Sequence, residues 1–136
     1  MRSVKVSDHM VARPITISHQ AKVGEAARTI VENKVSGVVV VDESGQVVGM
    51  LSELDCLRSL LSEVYNQGGV GSAPVTSVMT TPVTTTTPEA DIISVAESML
   101  AQKQRRRPVV VDGELKGQLT CRQLLNAIMA FGPELH

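Results

Sequence analysis

Five features recur in the same order at a nearly constant offset along this 136-residue chain. Val6-Ser7-Asp8-His9-Met10 is answered by Val75-Thr76-Ser77-Val78-Met79, 69 residues later. Pro14-Ile15-Thr16-Ile17 is answered by Pro82-Val83-Thr84-Thr85 at 68, and Ala26-Ala27 by Val95-Ala96 at 69. Val38–Asp42 matches Pro108–Asp112 at 70, and Gly49-Met50-Leu51-Ser52 matches Gly117-Gln118-Leu119-Thr120 at 68. Offsets that drift by one or two residues while the order holds are the mark of a duplicated unit with small loop changes. Whatever one half folds into, the other half must fold into as well.

Each unit reads β-α-β-β-α, an α/β (α+β) pattern. A short extended piece follows the proline. A helix comes next, with Val23, Ala26, Ala27, Ile30 and Val31 at i, i+3, i+4, i+7 and i+8. Ile92, Val95, Ala96 and Met99 repeat the first four of those positions, with Lys103 one turn further on at i+11, and Thr87-Pro88-Glu89 reads as the helix start, with Thr87 as N-cap. Two strands follow, Val38–Asp42 with Gln46–Leu51, and Pro108–Asp112 with Leu115–Leu119. Glu43-Ser44-Gly45 and Gly113-Glu114 are read as their turns. A last helix carries the stripe Leu54, Leu57, Leu61 and Val64 in unit one, and Leu124, Leu125, Ile128 and Met129 in unit two. The boundaries are residues 4–65 for repeat one, 66–74 for a glycine-rich flexible linker and 75–131 for repeat two. A single unit buries a marginal core, so the two are expected to pack with pseudo-twofold symmetry into one module.

Composition narrows the function. A net charge of −1 gives no global attraction to nucleic acid or an anionic membrane. One tyrosine, one phenylalanine and no tryptophan leave no aromatic platform for stacking bases. No apolar run approaches the roughly 20 residues of a membrane helix, and Met1–Val6 lacks a signal-peptide core. A cytoplasmic location is the expectation. Cys56 and Cys121 read as two reduced thiols, and Met10 and Met79 as core fillers. His9 and His19 complete no ligand set, so no metal is expected. No P-loop, GxSxG or HExxH motif is present, and neither Ser52 nor Asp55 has a partner histidine at a defensible spacing. No catalytic residue is assigned and an enzyme is not expected. Arg105-Arg106-Arg107 stands at the mouth of an apolar strand, where clustered positive charge calls for an anion or for water.

The tandem β-α-β-β-α unit resembles a pair of CBS domains (cystathionine β-synthase-type domains, a Bateman module). The resemblance rests on Val-x-x-x-Met before Pro-x-Thr, the alanine-containing helix, the apolar strand ending in Asp, and Gly-x-x-Ser/Thr, and it covers residues 4 to 131. It implies a regulatory module without an obligatory cofactor, binding AMP, ADP, ATP or S-adenosylmethionine in a cleft between the repeats, and often a homodimer.

The family's Gly-x-x-Ser/Thr-x-x-Asp runs from the last strand into the last helix. Free N–H groups there suit a phosphate, and the Asp can accept from ribose hydroxyls. Repeat one has the motif in full, through Ser52 and Asp55, whereas repeat two has Thr120 and, at the Asp position, Gln123. By the family analogy Arg106 and Arg107 reach the phosphates of the ligand held by Ser52 and Asp55. Ser36 and Gly37 are matched to them in repeat one. Met50 with Pro82-Val83-Thr84 is expected to line the base pocket. One main adenine-nucleotide site per chain follows, with an unidentified regulated protein as a further partner. The alternatives are a ligand-independent dimerisation module, in which Ser52-x-x-Asp55 only caps a helix and the arginines form a solvated patch, or a module binding S-adenosylmethionine.

Overall fold

A computed structural model of the chain describes residues 3–66 and 69–131. Its elements are β1 (Thr16–Ser18), α1 (Val23–Asn33), β2 (Gly37–Val41), β3 (Val47–Ser52), α2 (Glu53–Tyr65), α3 (Ile92–Ala101), β4 (Arg106–Val111), β5 (Glu114–Thr120) and α4 (Cys121–Phe131), with short 3-10 turns at Val6–Asp8 and Val75–Ser77. The fold is mixed α+β, and the β-α-β-β-α reading holds in full in the first repeat and from its helix onward in the second. In the first, β1 pairs parallel with β2, and β2 antiparallel with β3. In the second, β4 pairs antiparallel with β5, and the counterpart of β1 is a single parallel bridge, Thr86 to Val109.

The chain forms two compact units, Ile15–Val83 and Met1–Pro14 with Thr84–His136. Neither coincides with a sequence repeat, because each unit takes its first segment from the other repeat. The helix N-termini explain why. The first N–H groups of a helix have no partner inside it, and neither Lys22 nor the residues before it supply a side-chain acceptor for α1. The carbonyls of Ala73 and Gly71 accept instead from Val23 N–H and Gly24 N–H, at 2.8 and 3.0 Å, and Ala21 returns a carbonyl to Val75 N–H at 3.0 Å. In the other unit the carbonyl of Val4 accepts from Ile92 N–H at 2.8 Å, and Ala90 accepts from Val6 N–H at 2.9 Å. Val6 and Val75 thereby become fully buried members of the two cores. The repeated methionines follow them inward. Met10 lies over Gly117, where an added Cβ would come within 2.5 Å of its sulfur and 2.8 Å of the Val11 carbonyl, and Met79 lies over Gly49 in the same way.

Several expectations change. Helix α3 is capped by Asp91, whose carboxylate accepts from Ile93 N–H at 2.7 Å, and not by Thr87. Thr87–Ala90 closes a turn of its own, and its carbonyls serve the Val6 and Ser7 amides. The second hairpin turns at Asp112-Gly113, both at positive φ (52° and 80°), one residue earlier than read from the sequence. The α2 stripe Leu54, Leu57, Leu61 and Val64 faces outward, while Cys56 and Leu60 meet the core. In α4 the core takes Leu124, Ala127 and Phe131, and leaves Leu125 and Met129 exposed. In α2 the apolar periodicity marks the outer face, whereas the α4 stripe is split, with Leu124 inward and Leu125 and Met129 outward.

The expected flexible linker is tied down over 69–74; Gln67 and Gly68 lie outside the described residues. The Glu63 carboxylate accepts from Gly71 N–H at 3.0 Å, Ser72 N–H at 3.2 Å and Ser72 Oγ at 2.8 Å. Gly71 (φ +87°) rests on Gly24, so closely that a Cβ on Gly71 would come 2.9 Å from the Gly24 Cα and one on Gly24 would press on the Gly71 backbone at 3.2 Å. These hydrogen bonds, led by the Ser72 hydroxyl, hold the Glu63 carboxyl below the usual glutamate range. A depressed carboxyl pKa stabilises the fold above the ordinary value, and the contribution fades as pH falls through the depressed one. Hydrogen exchange should therefore show protected Gly71 and Ser72 amides at neutral pH that lose protection in acid. In Glu63→Gln the protection should be reduced at neutral pH and should lack that acid step.

Candidate functional site

Strand β3 runs into α2 at Ser52, and the junction is a reciprocal cap. Ser52 Oγ accepts from Asp55 N–H at 3.1 Å, and Asp55 Oδ2 accepts from Ser52 N–H at 3.0 Å. The capping reading of Ser52-x-x-Asp55 is therefore correct as far as it goes. It uses one carboxylate oxygen. The other, Oδ1, has only Arg58 Nη1 at 3.7 Å, beyond hydrogen-bond range, from a side chain that is 78% exposed. Asp55 is partly buried, with its side chain 19% exposed, and Oδ1 is not used by the cap. Met50 stands two residues before Ser52 on the same face of β3. Its N–H and C=O are both taken by Thr80, at 3.0 and 2.8 Å, so its backbone is engaged and only its side chain is offered. Pro82, after a cis peptide, and Val83 complete the set within the unit Ile15–Val83. Thr84, Arg106 and Arg107 belong to the other unit.

The β5–α4 junction repeats the arrangement with different chemistry. Gln123 Oε1 accepts from Thr120 N–H at 2.8 Å and also from the Thr120 hydroxyl. A backbone N–H can only donate, so it fixes which end of the amide faces the cap. The oxygen of Gln123 is spent on the cap, and its outward group is an NH₂ donor. Repeat one thus presents a charged acceptor where repeat two presents a neutral donor. Gln118, the counterpart of Met50, is buried with its Oε1 unpartnered.

Strand pairing also revises the arginines. Gly37 lies opposite Ser52, and Arg106 lies opposite Thr120. Ser36 and Arg105 each give a carbonyl to the first amide of the following helix, Glu53 or Cys121, at 2.9 and 3.0 Å. The strand offset is therefore 69, not 70, because the first hairpin loop is one residue longer. Arg106 takes the place of Gly37, and Arg107 that of Val38. Successive strand residues face opposite ways. Arg107 shares its face with Val109, which is in the core beneath the helices, whereas Arg106 lies on the other face with Pro108.

Arg107 is 3% exposed. Its Nη1 donates to Ser98 Oγ at 3.0 Å and its Nη2 to Gln104 Oε1 at 2.6 Å, while Nε is buried without a partner. Burial pushes the guanidinium pKa down. Thr84 Oγ1 donates to Gln102 Oε1 at 3.2 Å, and Gln102 Nε2 donates to the same Ser98 hydroxyl at 3.2 Å. Ser98, Gln102 and Gln104 were not singled out from the sequence. The signal was there in an alignment of the repeats at 69, which sets a charged residue against a buried valine.

Burial pushes the Cys56 thiol up, while Cys121 is exposed. Among the described residues no three His, Cys, Asp or Glu side chains gather as a metal set, and no helix is long and apolar enough to cross a membrane.

Known proteins share this arrangement. The CBS domain family model matches residues 6–62 and 75–130. The chain is 31% identical over 128 residues to an inosine-5'-monophosphate dehydrogenase of Aquifex aeolicus, covering 92% of this chain but only 25% of that enzyme. It is 31% identical over 117 residues to the CBS domain-containing protein YhcV of Bacillus subtilis, covering 86% of this chain and 79% of the relative. The first curated relatives are thus much longer proteins, of which this chain spans 25 to 42%. Among solved structures, CBSX2 in complex with AMP superposes with a TM-score of 0.83 at 28% identity, over 95% of this chain and 98% of that one. A CBS domain pair crystallised with 5'-methylthioadenosine and S-adenosyl-L-methionine gives 0.78 at 24% identity, over 93% and 96%, a likeness of fold. With both repeats matched and their strand–cap–helix junctions in place, the chain belongs to the CBS domain family as a tandem pair.

Proposed function

We propose that this chain is a regulatory module that binds an adenosine nucleotide of the AMP, ADP or ATP class at one main site. The observation that carries the reading is the partly buried Asp55 carboxylate, capped through Oδ2 and left with Oδ1 as an acceptor for a ribose hydroxyl. Ser52 and the α2 N-terminus serve the polar end of the ligand, Met50, Pro82, Val83 and Thr84 the base, and Arg106 the phosphate. The AMP complex of the similar CBSX2 supports the ligand class. The positive charge of Arg106 favours a phosphate over the sulfonium of S-adenosylmethionine, which is the runner-up ligand. Binding regulates a partner only by favouring one arrangement of the module over another.

Calorimetry with AMP, ADP, ATP and S-adenosylmethionine tests this. A charge-assisted hydrogen bond contributes about 1.5–3 kcal/mol, so Asp55→Ala should weaken the preferred nucleotide by roughly 10- to 150-fold. Arg106→Ala should weaken phosphate-bearing ligands and spare adenosine. Absence of binding at millimolar nucleotide, or an unchanged Asp55→Ala, would end the reading.

A second reading, compatible with the first, is a homodimer. Leu54, Leu57, Leu61 and Val64 place four aliphatic side chains at i, i+3, i+7 and i+10 on the outer face of α2, each about half exposed or more (48 to 62%). A continuous apolar stripe without charge suits the same stripe on a second copy across a twofold. Sedimentation should show a dimer for the native chain and a monomer for Leu57→Lys/Leu61→Lys, with the fold intact by circular dichroism.

A further inference from the structure

Position 107 carries a physical contradiction. The first repeat fills it with Val38, fully buried, and the second fills it with a guanidinium that is just as deep. None of the ion pairs among the described residues includes Arg107, and its hydrogen-bond partners, Ser98 and Gln104, are neutral. A buried charge without a counter-ion weakens a fold unless it is replaced by, or matched with, something better. In the other repeat the matching strand position is filled by a buried aliphatic side chain, Val38. Stability does not account for the arginine.

Its bonds suggest what does. Arg107 joins three pieces of chain: the middle of α3 at Ser98, the α3–β4 loop at Gln104 and the mouth of β4. Through the shared Ser98 hydroxyl it also joins Gln102, and through Gln102 the segment at Thr84. Gln104 is itself anchored by its N–H to the Met99 carbonyl at 2.9 Å. One residue away, strand alternation sends Arg106 to the opposite face. Two segments assigned to the ligand, at Thr84 and at Arg106, are thus braced from behind by one side-chain network.

We propose that Arg107 is a positioning residue: with Ser98, Gln102 and Gln104 it fixes the mouth of β4 and so the direction in which Arg106 offers its guanidinium to the phosphate, while touching no ligand itself. This rests on the nucleotide reading above, and it gives Arg107 a different role from Arg106.

The test compares AMP with adenosine on the wild type, Arg106→Ala, Arg107→Leu, Ser98→Ala and the Arg106→Ala/Arg107→Leu pair. Arg107→Leu should melt no lower than the wild type without ligand, yet bind AMP about tenfold more weakly, with adenosine unchanged. Ser98→Ala should give a smaller loss of the same kind. In the Arg106→Ala background, Arg107→Leu should add no further loss, because its effect passes through Arg106. Additive losses would mean that Arg107 meets the phosphate directly, and would overturn the proposal. So would an AMP affinity indifferent to Arg107→Leu, or a lower melting temperature with AMP and adenosine weakened alike. A wild type that takes up no AMP, or an Arg106→Ala variant that binds as well as the wild type, sinks the nucleotide reading and this proposal with it. Full Arg106 dependence with an indifferent Arg107→Leu sinks the proposal alone.

Discussion

Helices α1 and α3 begin with amide groups for which their own flanking residues provide too few acceptors, and a backbone donor left buried and unpaired is costly. Both deficits are met by main-chain carbonyls from a distant stretch of sequence: Ala73 and Gly71 for α1, Val4 for α3. The exchange runs both ways, since Ala21 and Ala90 return carbonyls to Val75 and Val6. These pairings carry Val6 and Val75 into the cores and bring the methionines over the glycines of β5 and β3. They also set where Thr80 can pair with Met50, and hence how the strand before Ser52 is held. The segment 71–75 is therefore a structural part of the unit that contains Ser52 and Asp55, and Glu63 is the side chain that keeps it there.

The alternation of side chains along a strand shapes the chemistry in the same way. Arg106 and Arg107 are adjacent in sequence and look interchangeable. In β4 they are assigned to opposite faces, one toward Thr120's side of the sheet and one toward Ser98 beneath the helices. The same rule sets Met50 with Ser52 and Gln118 with Thr120, so each junction presents its pair on one face. Between the repeats, the exchange of Asp55 for Gln123 does more than remove a charge. It turns the outward group from an acceptor into a donor, because the amide oxygen is held by the cap.

The duplication, the element order and most strand positions were legible from pattern alone. Buried β-branched runs and spaced aliphatic residues are dictated by burial, and burial was repeated twice. The Ser52–Asp55 cap was legible too, since it is local chemistry over three residues. The Thr87 start of α3 was misread because Thr-Pro-Glu is a good helix opening in isolation. Tertiary pairing with Val6 and Ser7 uses those carbonyls in a turn, and Asp91 caps instead. The α2 stripe was read correctly as a stripe, but periodicity says nothing about which of two apolar faces turns inward. Matching strand ends misaligns the arginines by one residue, because the first hairpin is one residue longer than the second.

The sequence by itself determined that there are two copies of one β-α-β-β-α unit, that the core is aliphatic, and that only repeat one carries a carboxylate at the last helix. These are properties of spacing and residue type, which are local and survive any packing. Only the tertiary structure decided that each compact unit borrows its opening segment from the other repeat, that the linker is pinned by Glu63, and that Arg107 is turned beneath the helices to Ser98 and Gln104. Those depend on hydrogen bonds between residues far apart in the chain and on the registration of one strand against the next, and neither is written in the order of the residues.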